Sequence, residues 1–141
     1  MFGKIFKNKK KDDSNYKNIM IAALLIHAAK MDQNYTSVEK NIIKKALIDI
    51  SKLSEEEIQK IIKLAEEKEK DSNQLIEFTK EIKKKDMDFR LKIIELLWKI
   101  IYSDGVADHY ETSLIRRVCG LLYVSGVDSG IVKLKVQKEF K

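Results

Sequence analysis

The chain contains no proline and only five glycines in 141 residues. Because these two residues supply most tight turns, a sheet of many short strands would lack the turns that it needs. Of all residues, 44% are hydrophobic and 35% are charged, a mixture that is typical of amphipathic helices. At this length the sequence predicts one all-α domain with a single core.

Hydrophobic periodicity divides the chain into seven predicted helices that are joined by short loops. The predicted ranges are 16–31, 36–51, 54–70, 72–84, 86–103, 108–123 and 127–139. The first and the fifth are apolar on nearly every face, so we expect them to be buried. The others are less uniformly apolar, and those with a clear apolar stripe should pack that stripe against the core.

Residues 1–15 form a separate basic segment before the first predicted helix. Phe2, Ile5 and Phe6 lie among five lysines there, so the segment is too charged for the core. We expect a flexible leader ahead of a domain that spans residues 16–141. Such a leader could contact an anionic membrane surface weakly. The longest apolar run, 19–29, is about half the roughly 20 residues of a membrane span, so the expected location is the cytoplasm, or the inner face of its membrane.

An internal repeat is the most informative feature of the sequence. When the sequence is aligned with itself after a constant shift, Asp32 aligns with Asp104 and Glu39 aligns with Glu111. The same shift pairs Ile21 with Ile93, Leu24 with Leu96, Leu25 with Leu97, and Ile43 with Ile115. Each half therefore has a buried helix that ends in aspartate, a turn, and an amphipathic helix with glutamate in its first turn. We predict two pseudo-symmetric halves.

The two glutamates of these turns have a purely structural interpretation. Thr36 with Glu39, and Asp108 with Glu111, have the spacing of a capping box. In that motif the first residue caps the helix and the fourth accepts from its free amide. Capping is sufficient to explain both glutamates without any ligand.

Capping does not explain Asp32 and Asp104. Each follows an apolar helix at its carboxyl end, where the helix dipole disfavours an anion by roughly 0.3–1 kcal/mol. Carboxylates beside unpaired carbonyls suit a hard cation such as calcium or magnesium. The candidate metal ligands are Asp32, Glu39, Asp104, Asp108 and Glu111. The alternating acidic run of an EF-hand is absent, and an ordinary helix stop with Gly105 as its left-handed residue remains the simpler alternative.

The segments "AALLIHAAKMDQNYTSVEKNIIKKAL" and "LLWKIIYSDGVADHYETSLIRRVCGLLYVSGVD" resemble the two halves of the TerB-like domain of tellurite-resistance and related bacterial proteins. The shared pattern is a helix that ends in Asp-Gly, a short loop, and a helix with glutamate near its start. The resemblance covers about residues 16–136. It implies a compact, duplicated all-α fold, a divalent metal centre at positions 32, 39, 104 and 111, and a stress-response accessory or scaffold role. Gln33 stands where the family often has glycine, so a first site is expected to be distorted.

The common enzyme motifs are absent from the sequence. His27 and His109 are too scattered for a catalytic zinc site, and the repeat places His27 opposite Lys99, near the surface. Cys119 lies on an apolar stripe, where it is expected in the core. A single cysteine also excludes an internal disulfide and fits a reducing compartment. We expect no catalytic activity.

The net charge of +6 comes almost entirely from lysine, since only Arg90, Arg116 and Arg117 are arginines. Arginine is the usual residue for reading bases and clamping phosphates, so nucleic acid is not an expected partner. Lys44-Lys45 and Arg116-Arg117 recur at corresponding positions on the outer helix faces. They are the candidate partner-binding residues, and the alternative function is a metal-free helical adaptor that binds a protein or a membrane through them. The stretch 66–74 is interpreted as a charged linker.

Overall fold

A computed structural model describes the backbone of residues 2–31, 35–71, 74–104 and 109–139, and the side chains of residues 15–31, 35–71, 74–103 and 113–139. Within these residues the chain forms seven α-helices and two short 3₁₀ turns, with no strand. The helices are α1 (Phe2–Met31), α2 (Ser37–Ser51), α3 (Glu55–Asp71), α4 (Leu75–Thr79), α5 (Met87–Ile101), α6 (His109–Leu121) and α7 (Gly126–Glu139), and the 3₁₀ turns are Ile82–Lys84 and Tyr102–Asp104. The predicted all-α class is therefore confirmed.

Two helices differ from the prediction by more than about two residues at one end. α1 begins at Phe2 and not at Tyr16, because no proline interrupts the basic segment and the helix can continue through it. The predicted helix over 72–84 is instead the short α4 followed by a 3₁₀ turn. The hydroxyl of Thr79 donates back to the carbonyl of Leu75 at 2.8 Å, a bond that bends helices. The flexibility of residues 1–15 and the domain boundary at 16 stay predictions.

α1 and α5 lie at the centre of the domain, as their apolar character predicted. Residues 20–26 of α1 are all buried, and so are most apolar residues of α5. α1 packs against α2, α3, α4, α5 and α6. Burying a large aliphatic side chain stabilises the fold by about 1.5–3 kcal/mol, so these two helices make a large contribution to the core.

The predicted duplication extends to how the helices pack. α3 lies along α1, and α7 lies along α5 in the same way. An ion pair also joins the corresponding helices of each half, since His27 of α1 pairs with Glu69 of α3 and Lys99 of α5 pairs with Glu139 of α7. Each half therefore repeats a central helix, a turn, an amphipathic helix, and a third helix that covers the first.

α2 and α6 are both followed by a residue in the left-handed conformation. Lys52 has φ 61° and Tyr123 has φ 56°. Residues other than glycine adopt this conformation at a cost in free energy. Beside Tyr123, Arg90 of α5 donates to the carbonyl of Leu122 at 2.8 Å and satisfies a free acceptor at the end of α6.

Candidate metal centre

Glu39 is the buried acid of the turn between α1 and α2, with 4% of its surface exposed. It is the third residue of α2, and its Oε2 accepts from the backbone amide of Thr36 at 3.0 Å. The hydroxyl of Thr36 donates to the same oxygen. The capping box predicted from the spacing is therefore present, and it fixes the orientation of this carboxylate.

A second contact joins Glu39 to the other half of the domain. Ser103, in the 3₁₀ turn after α5, donates its hydroxyl to Glu39 Oε1 at 2.9 Å and shares it with the carbonyl of Ile100 at 2.6 Å. Ser103 directly precedes Asp104. The buried carboxylate of the first half thus contacts the segment that carries the aspartate of the second half.

The surroundings of Glu39 keep it charged. Burial raises the pKa of this carboxyl, but the hydrogen bonds from Thr36 and Ser103 bring the pKa below its usual value. Among the described side chains, no lysine, arginine or histidine forms an ion pair with it. A carboxylate offers about four acceptor positions, and one side-chain hydrogen bond from the described residues reaches Oε1, which leaves room on this oxygen for a cation.

The structure describes the side chain of none of the other four predicted ligands. Asp32 and Asp108 lie outside the described residues. The backbone of Asp104 ends the 3₁₀ turn and that of Glu111 is the third residue of α6, but their side chains lie outside the described ones. Among the side chains that are described, no three His, Cys, Asp or Glu residues form a group that could hold a metal. The five-residue metal centre stays a prediction.

A second buried carboxylate, Glu69 of α3, was not predicted. Its side chain is 9% exposed, its Oε1 lies 3.2 Å from Nδ1 of His27, and its Oε2 accepts from Lys30 at 2.7 Å. The interpretation of 66–74 as a linker is wrong for this residue, because α3 continues to Asp71. The sequence carried a signal, since Glu69 follows the buried Ala65 by four residues and continues the apolar stripe of α3.

Glu69 is held as a carboxylate by its two partners. Burial raises its pKa, but the hydrogen bonds from Lys30 and His27 lower the pKa below its usual value. Nδ1 of His27 must carry a proton to donate to a carboxylate, which leaves Nε2 as the acceptor in the neutral ring. His27 is half-buried, and its role is to fasten α1 to α3.

The four predicted partner-binding residues have different environments. Lys44 pairs with Glu55 of α3, whereas Lys45, Arg116 and Arg117 are exposed. Arg117 borders a cleft of 770 Å³ that is shared with His27 and the apolar residues Met31, Leu75, Ile76 and Leu121. Arg116 borders a separate cleft of 260 Å³ beside Trp98. Consecutive helical residues point about 100° apart, so the two arginines face different surroundings.

Cys119 and Lys133 both belong to the contact between α5, α6 and α7. Cys119 is buried as predicted, and burial raises the pKa of its thiol despite a hydrogen bond from Ser129. Trp98 donates from Nε1 to the hydroxyl of Ser129 at 3.2 Å, and the ammonium of Lys133 lies 5.2 Å from the Trp98 ring centroid. These contacts fasten α7 to α5.

The fold is a duplicated all-α domain. Each half has a central helix, a turn and an amphipathic helix, and a buried glutamate of the first half contacts the turn of the second. The chain belongs to the TerB family, because the family model described as Tellurite resistance protein TerB matches residues 18–134. This confirms the resemblance found in the sequence, and TerB is not known as a family of enzymes. Comparison with curated proteins and with solved structures gave no match. No helix among the described residues is long and apolar enough to cross a membrane.

Proposed function

We propose that this TerB-family domain binds a divalent cation where its two acidic turns meet, and acts as an accessory or scaffold module related to tellurite resistance. The observation that supports the proposal is the hydrogen bond between Ser103 and Glu39, 2.9 Å long, which links the first turn to the residue before Asp104. A buried, charged glutamate at this junction has no basic partner among the described residues. A cation would supply the missing positive charge.

The chemistry of the donor set fits a hard cation. Asp32, Glu39, Asp104, Asp108 and Glu111 offer only carboxylate oxygens, which calcium and magnesium prefer. Glu39 would contribute one oxygen, Oε1, because Oε2 already accepts two hydrogen bonds from Thr36. A bound cation would offset the repulsion among these acids and hold the two halves together.

The test is thermal unfolding of the metal-free protein with and without calcium, magnesium, manganese or zinc. A ligand that binds only the folded state at about 100 times its Kd stabilises it by about 2.7 kcal/mol. For a domain of this size we expect the Tm to rise by about 5–10 °C. The Asp32→Asn/Asp104→Asn double variant should lose that rise.

The matched control is Asp49→Asn/Asp88→Asn, which removes the same charge from two exposed aspartates, near the end of α2 and at the start of α5, away from the turns. This control should keep the whole metal-dependent rise in Tm. If no ion stabilises the wild type more than the Asp32/Asp104 variant, the domain has no metal centre at these turns. If the control loses the rise as well, the ions act only by screening negative charge.

A second function, a metal-free adaptor, is supported by the exposure of Lys45, Arg116 and Arg117, which pair with no carboxylate among the described residues. Its simplest partner is an anionic surface, so the assay is sedimentation with vesicles that contain phosphatidylserine. Arg116→Gln/Arg117→Gln should reduce binding, whereas the exposed pair Lys60→Gln/Lys63→Gln should not. Removal of residues 1–15 tests the leader separately. Equal losses in both pairs would indicate attraction by net charge alone.

A further inference from the structure

The helix α7 exposes three large apolar side chains to solvent. Val127 is 74% exposed, Ile131 is 61% exposed and Leu134 is 60% exposed. At 3.6 residues per turn these three residues lie on one stripe of the helix. The other side of α7 packs on the core through the buried Ser129 and Val136. α7 therefore has a second apolar face, which no described part of this chain covers.

Gly130 lies on this stripe, between Val127 and Leu134. A Cβ atom at Gly130 would meet no atom within 4 Å, and the residue is inside a helix without a positive φ. Glycine in a helix interior is destabilising relative to alanine, and neither the packing nor the backbone of this chain requires it. A bare backbone within an apolar stripe allows another helix to approach closely, because the distance between packed helices depends on the side chains at the contact.

We propose that this face of α7 pairs with the α7 face of a second copy of the chain, in antiparallel orientation. The charges of the helix favour this orientation, since Asp128 lies in the first turn and Lys138 lies in the last turn. Lys135 and Glu139 near that end already pair with Glu95 and Lys99 of α5. Two antiparallel copies bring the acidic end of each helix to the basic end of the other. A parallel pair would bring like charges together.

The contact is symmetric and closes on itself. An antiparallel pair of identical helices is related by a two-fold axis. Each contact between two different residues therefore occurs twice, once in each direction. The centre of the stripe falls at Gly130 and Ile131, and each Ile131 packs on the bare backbone of Gly130 in the other copy. Val127 of each copy then faces Leu134 of the other, which covers the whole stripe.

The pairing is weak and reversible. A contact between two helices of 14 residues falls below the roughly 1,200 Å² of a standard stable interface. The Kd is therefore in the micromolar range or above. Sedimentation velocity of the full chain from about 1 µM to about 1 mM should show a monomer that converts to a dimer as its concentration rises.

Two lysine substitutions identify the surface. Ile131→Lys places a charge on the stripe and should weaken self-association at least about tenfold. Ile76→Lys is the matched control, since Ile76 is an equally exposed apolar residue on α4, and it should self-associate like the wild type. Circular dichroism of both variants checks that they keep the helical content of the wild type.

Gly130→Ala separates pairing from folding, because it should stabilise the folded monomer and weaken the dimer. Its dilute monomer should melt about 2–4 °C higher than the wild type, since alanine favours the helix. Its dimer should dissociate about tenfold more readily, since the new methyl group blocks close approach. An effect on folding alone would leave the dissociation constant unchanged.

Oxidative cross-linking tests the orientation. Ile131→Cys lies near the two-fold axis and should form a disulfide-linked dimer readily, whereas Val127→Cys should not, because its counterpart lies about 10 Å further along the partner helix. Cys119 is buried and does not compete. The proposal is overturned if the wild type stays monomeric at about 1 mM, if Gly130→Ala pairs like the wild type, or if both cysteines cross-link equally.

Discussion

Replacing Glu69 by glutamine tests whether a buried ion pair fastens the first half of the domain. The substitution removes the charge but changes the side-chain volume little. The carboxylate accepts from Lys30 at 2.7 Å and lies 3.2 Å from Nδ1 of His27. A glutamine amide keeps one acceptor oxygen and replaces the other by a donor, so one of the two basic groups of α1 loses its acceptor.

The size of the effect follows from burial. A hydrogen bond to a charged group contributes about 1.5–3 kcal/mol to stability. The full sum for two bonds is not expected, because Lys30 is 32% exposed and can recover contacts with water. We therefore expect Glu69→Gln to lower the free energy of unfolding at pH 7 by about 1.5–3 kcal/mol, which corresponds to a Tm about 3–10 °C lower.

The same pair makes stability depend on pH. The pKa of Glu69 is lower in the folded state than its ordinary value of 4.5. A group of this kind stabilises the fold fully above its unfolded pKa, and the contribution is lost as the pH falls through the folded pKa. The difference between wild type and Glu69→Gln should therefore be largest near neutral pH and shrink below about pH 4.5.

The assay is urea unfolding followed by circular dichroism, at a series of pH values from neutral to acid. Glu67→Gln is the matched control, since Glu67 is an exposed glutamate two residues away on the same helix, and it should change stability by less than about 0.5 kcal/mol. The reasoning is refuted if Glu69→Gln destabilises no more than this control. It is also refuted if the difference is the same at acid and neutral pH.

Two further predictions concern the helix ends. Lys52→Gly should raise the stability by about 0.5–1 kcal/mol, because Lys52 has φ 61°. The control Lys45→Gly, inside α2, should lower the stability by about 1 kcal/mol. Thermal melts that show a loss of stability in both variants would contradict the left-handed cap. Burial, together with the hydrogen bond that the hydroxyl of Tyr35 donates to Glu66 at 3.0 Å, raises the pKa of Tyr35 far above its ordinary value. An alkaline absorbance titration of Tyr35→Phe should therefore lose the last tyrosine to ionise, and the loss of an early step would contradict this assignment.

The fold was predictable because its determinants are local. The absence of proline and the periodicity of the apolar residues identified α1 and α5 as the buried helices and placed the other amphipathic helices around them. The shortening of the fourth helix was harder to predict from the sequence. At its end the hydroxyl of Thr79 bonds backward to Leu75, and sequence does not decide between that bond and one to solvent.

The site was predictable only where its contacts are local. The bond from Thr36 to Glu39 spans three residues and follows from the capping-box spacing. The bond from Ser103 to Glu39 spans 64 residues, and it depends on how α2 packs against α5. Glu69 was predictable as a residue that faces the core, but its pairing with His27 and Lys30 depends on the alignment of α3 along α1.

The duplication also identifies which surface features the fold does not require. α3 and α7 occupy equivalent positions, each along the central helix of its half. The outer face of α3 is mainly charged, with exposed residues such as Glu56, Lys60 and Lys63, whereas the outer face of α7 carries Val127 and Ile131. Since the same packing role is compatible with a charged outer face, packing within the domain does not explain the apolar one. The packing that α3 and α7 share therefore does not require the exposed stripe of α7, and the proposed pairing with a second copy would account for it.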